Sequence, residues 1–313
     1  MEQKKIDIKQ ISNTNERRPI LFEDFVWQDD IKNILRTVIW SWHKRNDAIW
    51  HMLFSGASWY GKTTLATMVA HAMNVQIKII TAYALSKPAE LISMLNNLHT
   101  NDILFIDEIH RLKPQLEEIL YIAMEDRVVD MVLPDGWSMR LPLDAFTLIW
   151  ATTKPEKLSA PLKNRFVYKF HLIDYTIPQK VQIISRYLTH FDIHASWEII
   201  ELMSRKIVSV PREIFNFCVK VRDYAIVHLD SLTIDHAARH DMVLWMDVDD
   251  GGVTALHRHY VSILHESGGG PVWVATLAAK LWVDEQYLIE DIEPLLMKLG
   301  RIDKTPRWRV VMY

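Results

Sequence analysis

A glycine-containing segment that ends in lysine and threonine carries the clearest chemical signal in this sequence. The segment from Gly56 to Thr63 reads GASWYGKT and fits the pattern G-x-x-x-x-G-K-[ST], in which loop amides and a helix N-terminus surround phosphates. In this pattern Lys62 reaches the β- and γ-phosphates of a nucleotide, and the Thr63 hydroxyl binds Mg²⁺. Gly56, Gly61 and Thr64 complete the expected nucleotide-binding loop and the first turn of the helix that follows it.

A pair of acidic residues further along the chain supplies the second half of such a site. Four apolar residues, Ile103–Ile106, precede Asp107 and Glu108, so the acids are expected at the end of a buried strand. Asp107 would hold Mg²⁺, and Glu108 would act as the general base that activates a water molecule. Together with Lys62 these residues predict hydrolysis of a nucleoside triphosphate. The plainer alternative is a strand end followed by a solvated acid.

The elements that position these motifs alternate between strands and helices. Such alternation is typical of an α/β fold, a parallel sheet flanked by helices. The predicted strands are His51–Ser55, Gln76–Ile80, Ile103–Asp107 and Phe146–Trp150. The predicted helices are Lys62–Met73, Pro88–Leu98 and Gln115–Met124.

The strand pattern ends after about Tyr175, and the domain organisation is predicted from that change. Residues 1–17 are polar and are expected to form a flexible lead, and residues 18–175 the α/β domain. Residues 176–246 are expected to form a small helical domain. Residues 247–313 are expected to form a third domain with helices at Leu256–His265, Thr276–Leu281 and Asp284–Leu299 and a basic, strand-like end.

Composition excludes several classes of protein. The chain has 313 residues, 49% hydrophobic and 24% charged, with a formal net charge of -3, which is an ordinary globular composition. Neither a membrane-spanning apolar run nor a signal peptide is expected, so a cytoplasmic protein is predicted. The single cysteine, Cys218, excludes an internal disulfide, and the 14 histidines form no ligand-spaced cluster. Nucleotide-bound Mg²⁺ is therefore the one metal expected.

Several longer strings carry a resemblance to a known family. The chain resembles the RuvB family of AAA+ ATPases, motors that drive branch migration of Holliday junctions in recombination and repair, from Arg18 to about Arg309. The matching strings are DILFIDEIHRL (102–112), EEILYIAMED (117–126), APLKNRF (160–166), VRDYA (221–225), GGPV (269–272), TLAAKL (276–281) and IEDIEP (289–294).

The resemblance implies roles for further residues. Arg165 matches the arginine finger, which acts on ATP bound to the neighbouring subunit and makes hydrolysis depend on assembly. Thr153, beside Thr152, matches a sensor of the γ-phosphate, and Arg212 matches a second sensor on the helical lid. The remaining positions match residues that enclose the adenine: Arg18, Phe25, Val26 and Tyr175. His110, directly after the acidic pair, is either a residue that couples sites or a structural histidine.

The resemblance also implies an assembly and a partner protein. A homo-hexamer would surround duplex DNA at a Holliday junction, with no membrane contact. A RuvA-like junction-binding protein would dock on a β-hairpin at Met131–Pro142, whose tip Pro134-Asp135-Gly136 is a turn signal. That segment is shorter than the family's hairpin, which weakens the inference. A RuvC-like resolvase would join the same complex.

The C-terminal residues resemble a winged helix that binds DNA. Asp284–Leu299 would be the recognition helix and Arg301–Met312 the wing. Four cations are expected to contact DNA phosphates: Arg301, Lys304, Arg307 and Arg309. The alternative is a solvated basic tail.

The tryptophans suggest that the printed sequence departs from the natural protein. The chain has 12 tryptophans and 9 glycines, whereas average glycine usage predicts about 22. Six tryptophans stand where the family has glycine: Trp27, Trp59, Trp150, Trp273, Trp282 and Trp308. The hypothesis is that the source organism reads UGA codons as glycine. It predicts strain or crowding at Trp59, Trp150 and Trp308. If the indoles are real, nucleotide binding at Trp59 is in doubt.

Two other functions remain open at this point. One is another AAA+ machine, a loader or a protein remodeller, against which the basic winged helix argues. The other is a DNA-binding protein without hydrolysis, which requires a literal Trp59 that blocks the nucleotide.

Overall fold

The chain divides into two compact units, with the boundary in the sequence between Asp174 and Tyr175. The computed structural model describes residues 26, 28–45, 47–58, 60–132, 138–208, 210–229, 232–268, 271–305 and 308–312. The predicted lead at 1–17 lies outside the described residues, as do Arg18, Phe25, Trp27, Trp59, Trp137, Arg307 and the hairpin tip. Of the helices described, none is long and apolar enough to cross a membrane.

The first unit contains a five-stranded parallel sheet with the order β2-β3-β6-β1-β7. The strands of the unit are β1 (Met52–Ser55), β2 (Ile77–Thr81), β3 (Ile103–Asp107), β4 (Val128–Val132), β5 (Ser138–Pro142), β6 (Thr147–Thr152) and β7 (Tyr168–His171). Its helices are α1 (Asp29–Arg45), α2 (Lys62–Met73), α3 (Pro88–Asn96), α4 (Pro114–Asp126) and α5 (Ala160–Asn164). The predicted α/β class with a parallel sheet is confirmed.

The sheet brings the two chemical motifs to one edge. β1 and β3 both pair with β6, and all of β6 is buried, as is β1. Apolar strands without alternation are expected where helices cover both faces of a parallel sheet. Because parallel strands end at the same edge, the loop after Ser55, the acids after Ile106 and the threonines after Ala151 lie together. This edge is where α/β sheets bind ligands.

The four strands and three helices predicted here all form, with ends that differ by a few residues. Among the described elements of the first unit, the helices α1 and α5 and the edge strand β7 were not predicted. β7 reads YKFH, and only Phe170 of its four side chains is buried. A short edge strand with polar residues gives little hydrophobic pattern, which explains why the sequence did not reveal it.

The second unit joins the helical segment and the C-terminal segment. Its helices are α6 (Ile177–His190), α7 (Trp197–Ser204), α8 (Pro211–His228), α9 (His236–Met246), α10 (Ala255–Glu266), α11 (Val274–Leu281), α12 (Glu285–Tyr287) and α13 (Glu293–Lys298). Its strands are β8 (His194–Ala195), β9 (Thr233–Ile234), β10 (Val272–Trp273), β11 (Ile302–Lys304) and β12 (Trp308–Val311). The strand pair β8–β9 departs from the prediction of helices alone for this segment.

Contacts between residues near 205 and residues near 251 connect the two segments of this unit. The Gly251 amide donates to the Arg205 carbonyl at 2.7 Å, and the Lys206 ammonium lies 2.8 Å from the Asp250 carboxylate. A side chain at Gly252 would clash with Val208, to which its Cβ would approach within 2.5 Å. The lid-like helices and the C-terminal segment therefore pack as one unit.

The predicted recognition helix is interrupted in its middle. α12 and α13 are joined by a π-helical turn at Leu288–Ile292, just before Pro294. Proline has no amide hydrogen, and its ring displaces the carbonyl four residues earlier, so a wider turn accommodates it. Behind the helix, β10, β12 and β11 form an antiparallel sheet.

The described tryptophans occupy unusual environments. Trp282 ends α11 with φ of 57° and is 93% exposed, a left-handed position that glycine normally takes after a helix. Trp150 is fully buried, and its indole nitrogen has no hydrogen-bond partner among the described residues. Trp308 makes an edge contact with Trp273, with ring centroids 4.7 Å apart. Among these three residues Trp282 shows backbone strain, whereas the strain or crowding expected at Trp59, Trp150 and Trp308 stays a prediction.

Candidate nucleotide site and nucleic-acid interface

The loop between β1 and α2 requires glycine at both of its ends. Gly56 has φ of 144°, and a Cβ there would lie 2.7 Å from the Leu172 carbonyl oxygen. Gly61 has φ of 90° and is the N-cap of α2. Both conformations are strained for other residues, so the two glycines fix the path by which the loop enters the helix.

Lys62 is buried and turned back onto the loop that precedes it. Its ammonium donates to the carbonyl oxygens of Gly56 and Ala57, each at 2.9 Å. Burial lowers the pKa of Lys62, and the nearby carboxylates of Asp107 and Glu108 oppose that shift. A buried cation with carbonyl dipoles as hydrogen-bond partners is costly, and an anion in the loop would compensate it.

The acidic pair lies at the end of β3, as predicted, in a network with the end of β6. The Glu108 carboxylate accepts from the Thr153 hydroxyl at 3.0 Å and lies 3.2 Å from Nδ1 of His110. His110 also contacts the Thr152 hydroxyl at 3.0 Å. Glu108 has φ of 52°, a left-handed conformation that ends the extended backbone of β3. The network therefore holds Glu108 in one orientation.

The residues present fit a phosphate chain with a divalent cation. Burial raises the pKa of Asp107, although the Glu108 amide and the Lys62 ammonium oppose the shift. The Thr63 hydroxyl and the Asp107 carboxylate are oxygen ligands of the kind that Mg²⁺ prefers. Among the described residues no group of three His, Cys, Asp or Glu could hold a separate metal ion.

Arg165 lies at the surface of the first unit, directly after α5. One of its guanidinium nitrogens is 2.5 Å from the Glu125 carboxylate. The guanidinium carbon lies over the Tyr121 ring, 4.0 Å from the ring centroid. Glu125 and Tyr121 were not predicted as site residues. Their spacing of four positions in one helix, which places them on the same face, was the available signal.

The predicted adenine and sensor residues divide between the two units. Val26 in the first unit is half-buried, and Arg18 and Phe25 lie outside the described residues. Tyr175 is buried in the second unit, and burial raises its pKa. Arg212 is exposed in the first turn of α8. The roles of these residues in binding a nucleotide stay predictions.

The basic C-terminal residues do not share one environment. Lys304 is exposed and Arg301 is half-buried, whereas Arg307 lies outside the described residues. Arg309 is buried, and its guanidinium makes two hydrogen bonds with Glu293, at 2.8 and 3.1 Å. The Tyr260 hydroxyl donates to the same carboxylate at 3.0 Å. A contact between Arg309 and a DNA phosphate would require opening that ion pair, and its role in DNA binding stays a prediction.

The predicted hairpin forms a two-stranded antiparallel ribbon of β4 and β5. Asp130 and Arg140 face each other across the ribbon, with 2.8 Å between Nε and Oδ1. The ribbon follows α4 with one residue between them, Arg127, whose carbonyl accepts from the Leu143 amide at 2.7 Å. Binding of a partner by this ribbon stays a prediction.

Fold and site together define a P-loop nucleoside triphosphatase that is followed by a winged helix. The family model described as Holliday junction DNA helicase RuvB P-loop domain matches residues 17–172. The model for the RuvB C-terminal winged helix domain matches residues 250–312.

Individual relatives agree with these matches. The Holliday junction branch migration complex subunit RuvB of Prochlorococcus marinus is 35% identical over 96% of this chain and 86% of its own length. The corresponding subunit of Chloroflexus aurantiacus is 38% identical over 94% of this chain and 85% of its own. The solved structure titled Thermotoga maritima RuvB Holliday junction branch migration motor superposes with a TM-score of 0.80 at 31% identity, covering 94% of this chain and 95% of that one. The chain belongs to the RuvB family.

Proposed function

We propose that the chain is the ATP-hydrolysing motor subunit of a Holliday junction branch migration complex. The observation that carries the proposal is the sheet edge at which Lys62, Asp107 and Glu108 converge, in a chain that ends in a winged helix. A relative that is named for branch migration and is similar over almost the whole chain supports the choice of substrate.

The proposed hydrolysis uses the geometry of the loop between β1 and α2. The phosphates of ATP would replace the two carbonyls as partners of the Lys62 ammonium, which then neutralises charge on the β- and γ-phosphates. Mg²⁺ on Thr63 and Asp107 would add further neutralisation of those oxygens. Glu108, held by Thr153, would accept a proton from the attacking water.

Completion of the site is proposed to need a second subunit. Arg165 would reach ATP on its neighbour in a homo-hexamer and stabilise the charge of the transition state. Further contacts to the nucleotide are proposed for six residues of the subunit that binds it: Gly56, Gly61, Thr64, Val26, Tyr175 and Arg212. Hydrolysis would then depend on ring assembly.

The remaining proposals concern DNA and partners. Arg301, Lys304 and Arg307 would contact phosphates of duplex DNA without reading its sequence. A RuvA-like protein would dock on the β4–β5 ribbon and would bring the ring to the junction, with a RuvC-like resolvase in the same complex. A motor that acts on chromosomal DNA would work in the cytoplasm of a bacterial cell.

The test is ATPase activity and migration of a synthetic four-way junction. The chain as printed and its Trp59→Gly variant are compared, each with Glu108→Gln and with the exposed control Glu156→Gln. We expect activity that Glu108→Gln abolishes and Glu156→Gln leaves unchanged. Inactivity of both forms would end the motor proposal in favour of DNA binding without hydrolysis. Activity in the glycine form alone would support UGA decoding as glycine.

A further inference from the structure

The side chain of Arg165 does not extend freely from the surface of the first unit. It lies on α4, with its guanidinium 4.0 Å from the centre of the Tyr121 ring. One of its nitrogens is 2.5 Å from Oε2 of Glu125. Both contacts raise the pKa of Arg165, the hydrogen bond to Glu125 more than that to Tyr121.

The two contacts constrain different parts of the guanidinium. The ring of Tyr121 covers one face of the guanidinium plane, and the carboxylate binds along the edge. The side chains remain partly accessible, at 26% for Arg165 and 47% for Glu125. This arrangement orients the cation at the surface and does not bury it.

The support for this arrangement is rigid on both sides. α4 is anchored in the core through Leu116, Leu120 and Ala123. Behind Arg165, Phe166 is 2% exposed, and the Arg165 amide donates to the Leu162 carbonyl at 3.1 Å. We call Tyr121 and Glu125 the Arg165 dock. The dock and the backbone that carries the arginine are therefore both fixed by packing.

We infer that Tyr121 and Glu125 are positioning residues for Arg165, which hold its guanidinium ready for the nucleotide of the neighbouring subunit. This inference rests on the proposed function. An arginine side chain that is free in solution populates many rotamers, and fixing it in one of them costs conformational entropy. Orientation before assembly reduces that cost, and small misplacements of catalytic groups lower rates strongly.

The first measurement is the kinetics of assembled rings. Glu125→Gln removes the charge with little change of shape, and Tyr121→Leu removes the aromatic face. Glu118→Gln is the matched control, because Glu118 is an exposed carboxylate of the same helix. We expect kcat to fall about tenfold in both dock variants, with KM and ring formation unchanged. A kcat equal to that of Glu118→Gln would overturn the inference.

The second measurement separates positioning from a general defect. Glu125→Gln subunits are mixed with Glu108→Gln subunits, which carry an intact dock and arginine but no general base. In mixed rings an intact Arg165 faces an intact Glu108 at some interfaces, so activity should exceed the mean of the two preparations. Activity at or below that mean would show that Glu125 affects hydrolysis at the nucleotide site of its own subunit and not at that of its neighbour, against the inference. Absence of ATP hydrolysis both in the chain with Trp59 and in its Trp59→Gly form would instead refute the proposed function, and the inference with it.

Discussion

The Thr153 hydroxyl donates a hydrogen bond of 3.0 Å to the carboxylate of Glu108 across the ends of β6 and β3. The two residues are distant in the chain and adjacent in the sheet. The bond joins the expected γ-phosphate sensor to the expected general base, so a change at one is expected to alter the other.

Replacing Thr153 tests this connection. Thr153→Val keeps the shape of the side chain and removes the donor, so Glu108 loses its orientation. We expect kcat for ATP to fall by about a factor of ten or more while nucleotide affinity is retained. Thr67→Val is the control, because the Thr67 hydroxyl donates to the Thr63 carbonyl of its own helix and not to Glu108. Equal effects of the two substitutions would contradict the prediction.

Acid sensitivity is expected from His51. Burial lowers its pKa from 6.5 to about 4, and its Nδ1 accepts from the Leu148 amide at 2.9 Å. At pH values between these two pKa values, His51 is protonated in the unfolded chain and neutral in the folded chain. Folding stability is therefore lost as the pH falls from 6.5 towards 4, by up to about 3 kcal/mol.

The measurement for His51 is denaturant unfolding at several pH values. His51→Gln keeps an acceptor but does not titrate, so its stability should change less between pH 7 and pH 4.5 than that of the unsubstituted chain. His99→Gln, at an exposed histidine, is the control and should follow the unsubstituted chain. A curve for His51→Gln that parallels the others would refute the assignment.

The buried pair of Glu293 and Arg309 is expected to stabilise the winged helix. Arg309→Met leaves a carboxylate with no exposed surface and without its cation, which costs about 3–5 kcal/mol. The second unit should unfold at lower denaturant concentration.

Lys304 provides the contrast for that pair. Lys304→Met should leave stability within about 0.5 kcal/mol, because its side chain is exposed. It should weaken binding to duplex DNA. The slope of the binding constant against salt concentration should fall by the amount that corresponds to about one phosphate contact. Unchanged stability in Arg309→Met with weakened DNA binding would show that Arg309 contacts DNA after all.

A glycine at position 282 is expected to stabilise the fold. The left-handed conformation of Trp282 costs roughly 1–2 kcal/mol for a residue with a Cβ. Trp282→Gly should therefore raise the free energy of unfolding by about 1 kcal/mol.

Replacing a tryptophan within a helix by glycine should instead lower the free energy of unfolding. Trp40 is 66% exposed within α1, where glycine costs about 1 kcal/mol relative to good helix formers. Destabilisation by Trp282→Gly would contradict the interpretation of that position. The decoding hypothesis has its own test, peptide masses of the protein isolated from its source, and indole masses at positions 282 and 150 would refute it.

The sequence alone determined the features that depend on local pattern. Gly56, Gly61 and Lys62 form a recognisable loop because phosphate binding needs consecutive residues. β3 and its acids were predictable because a run of apolar residues that ends in carboxylates has few other interpretations. The α/β class followed from alternation that spans many residues.

Tertiary structure decided which of several similar side chains does what. Lys304 and Arg309 belong to one basic run, yet one is exposed and the other is paired with Glu293, because the facing helix supplies that carboxylate. In the same way, Glu118 and Glu125 lie on one helix, and only Glu125 meets Arg165. Such partners come from distant parts of the chain and depend on packing, so no local pattern in the sequence specifies them.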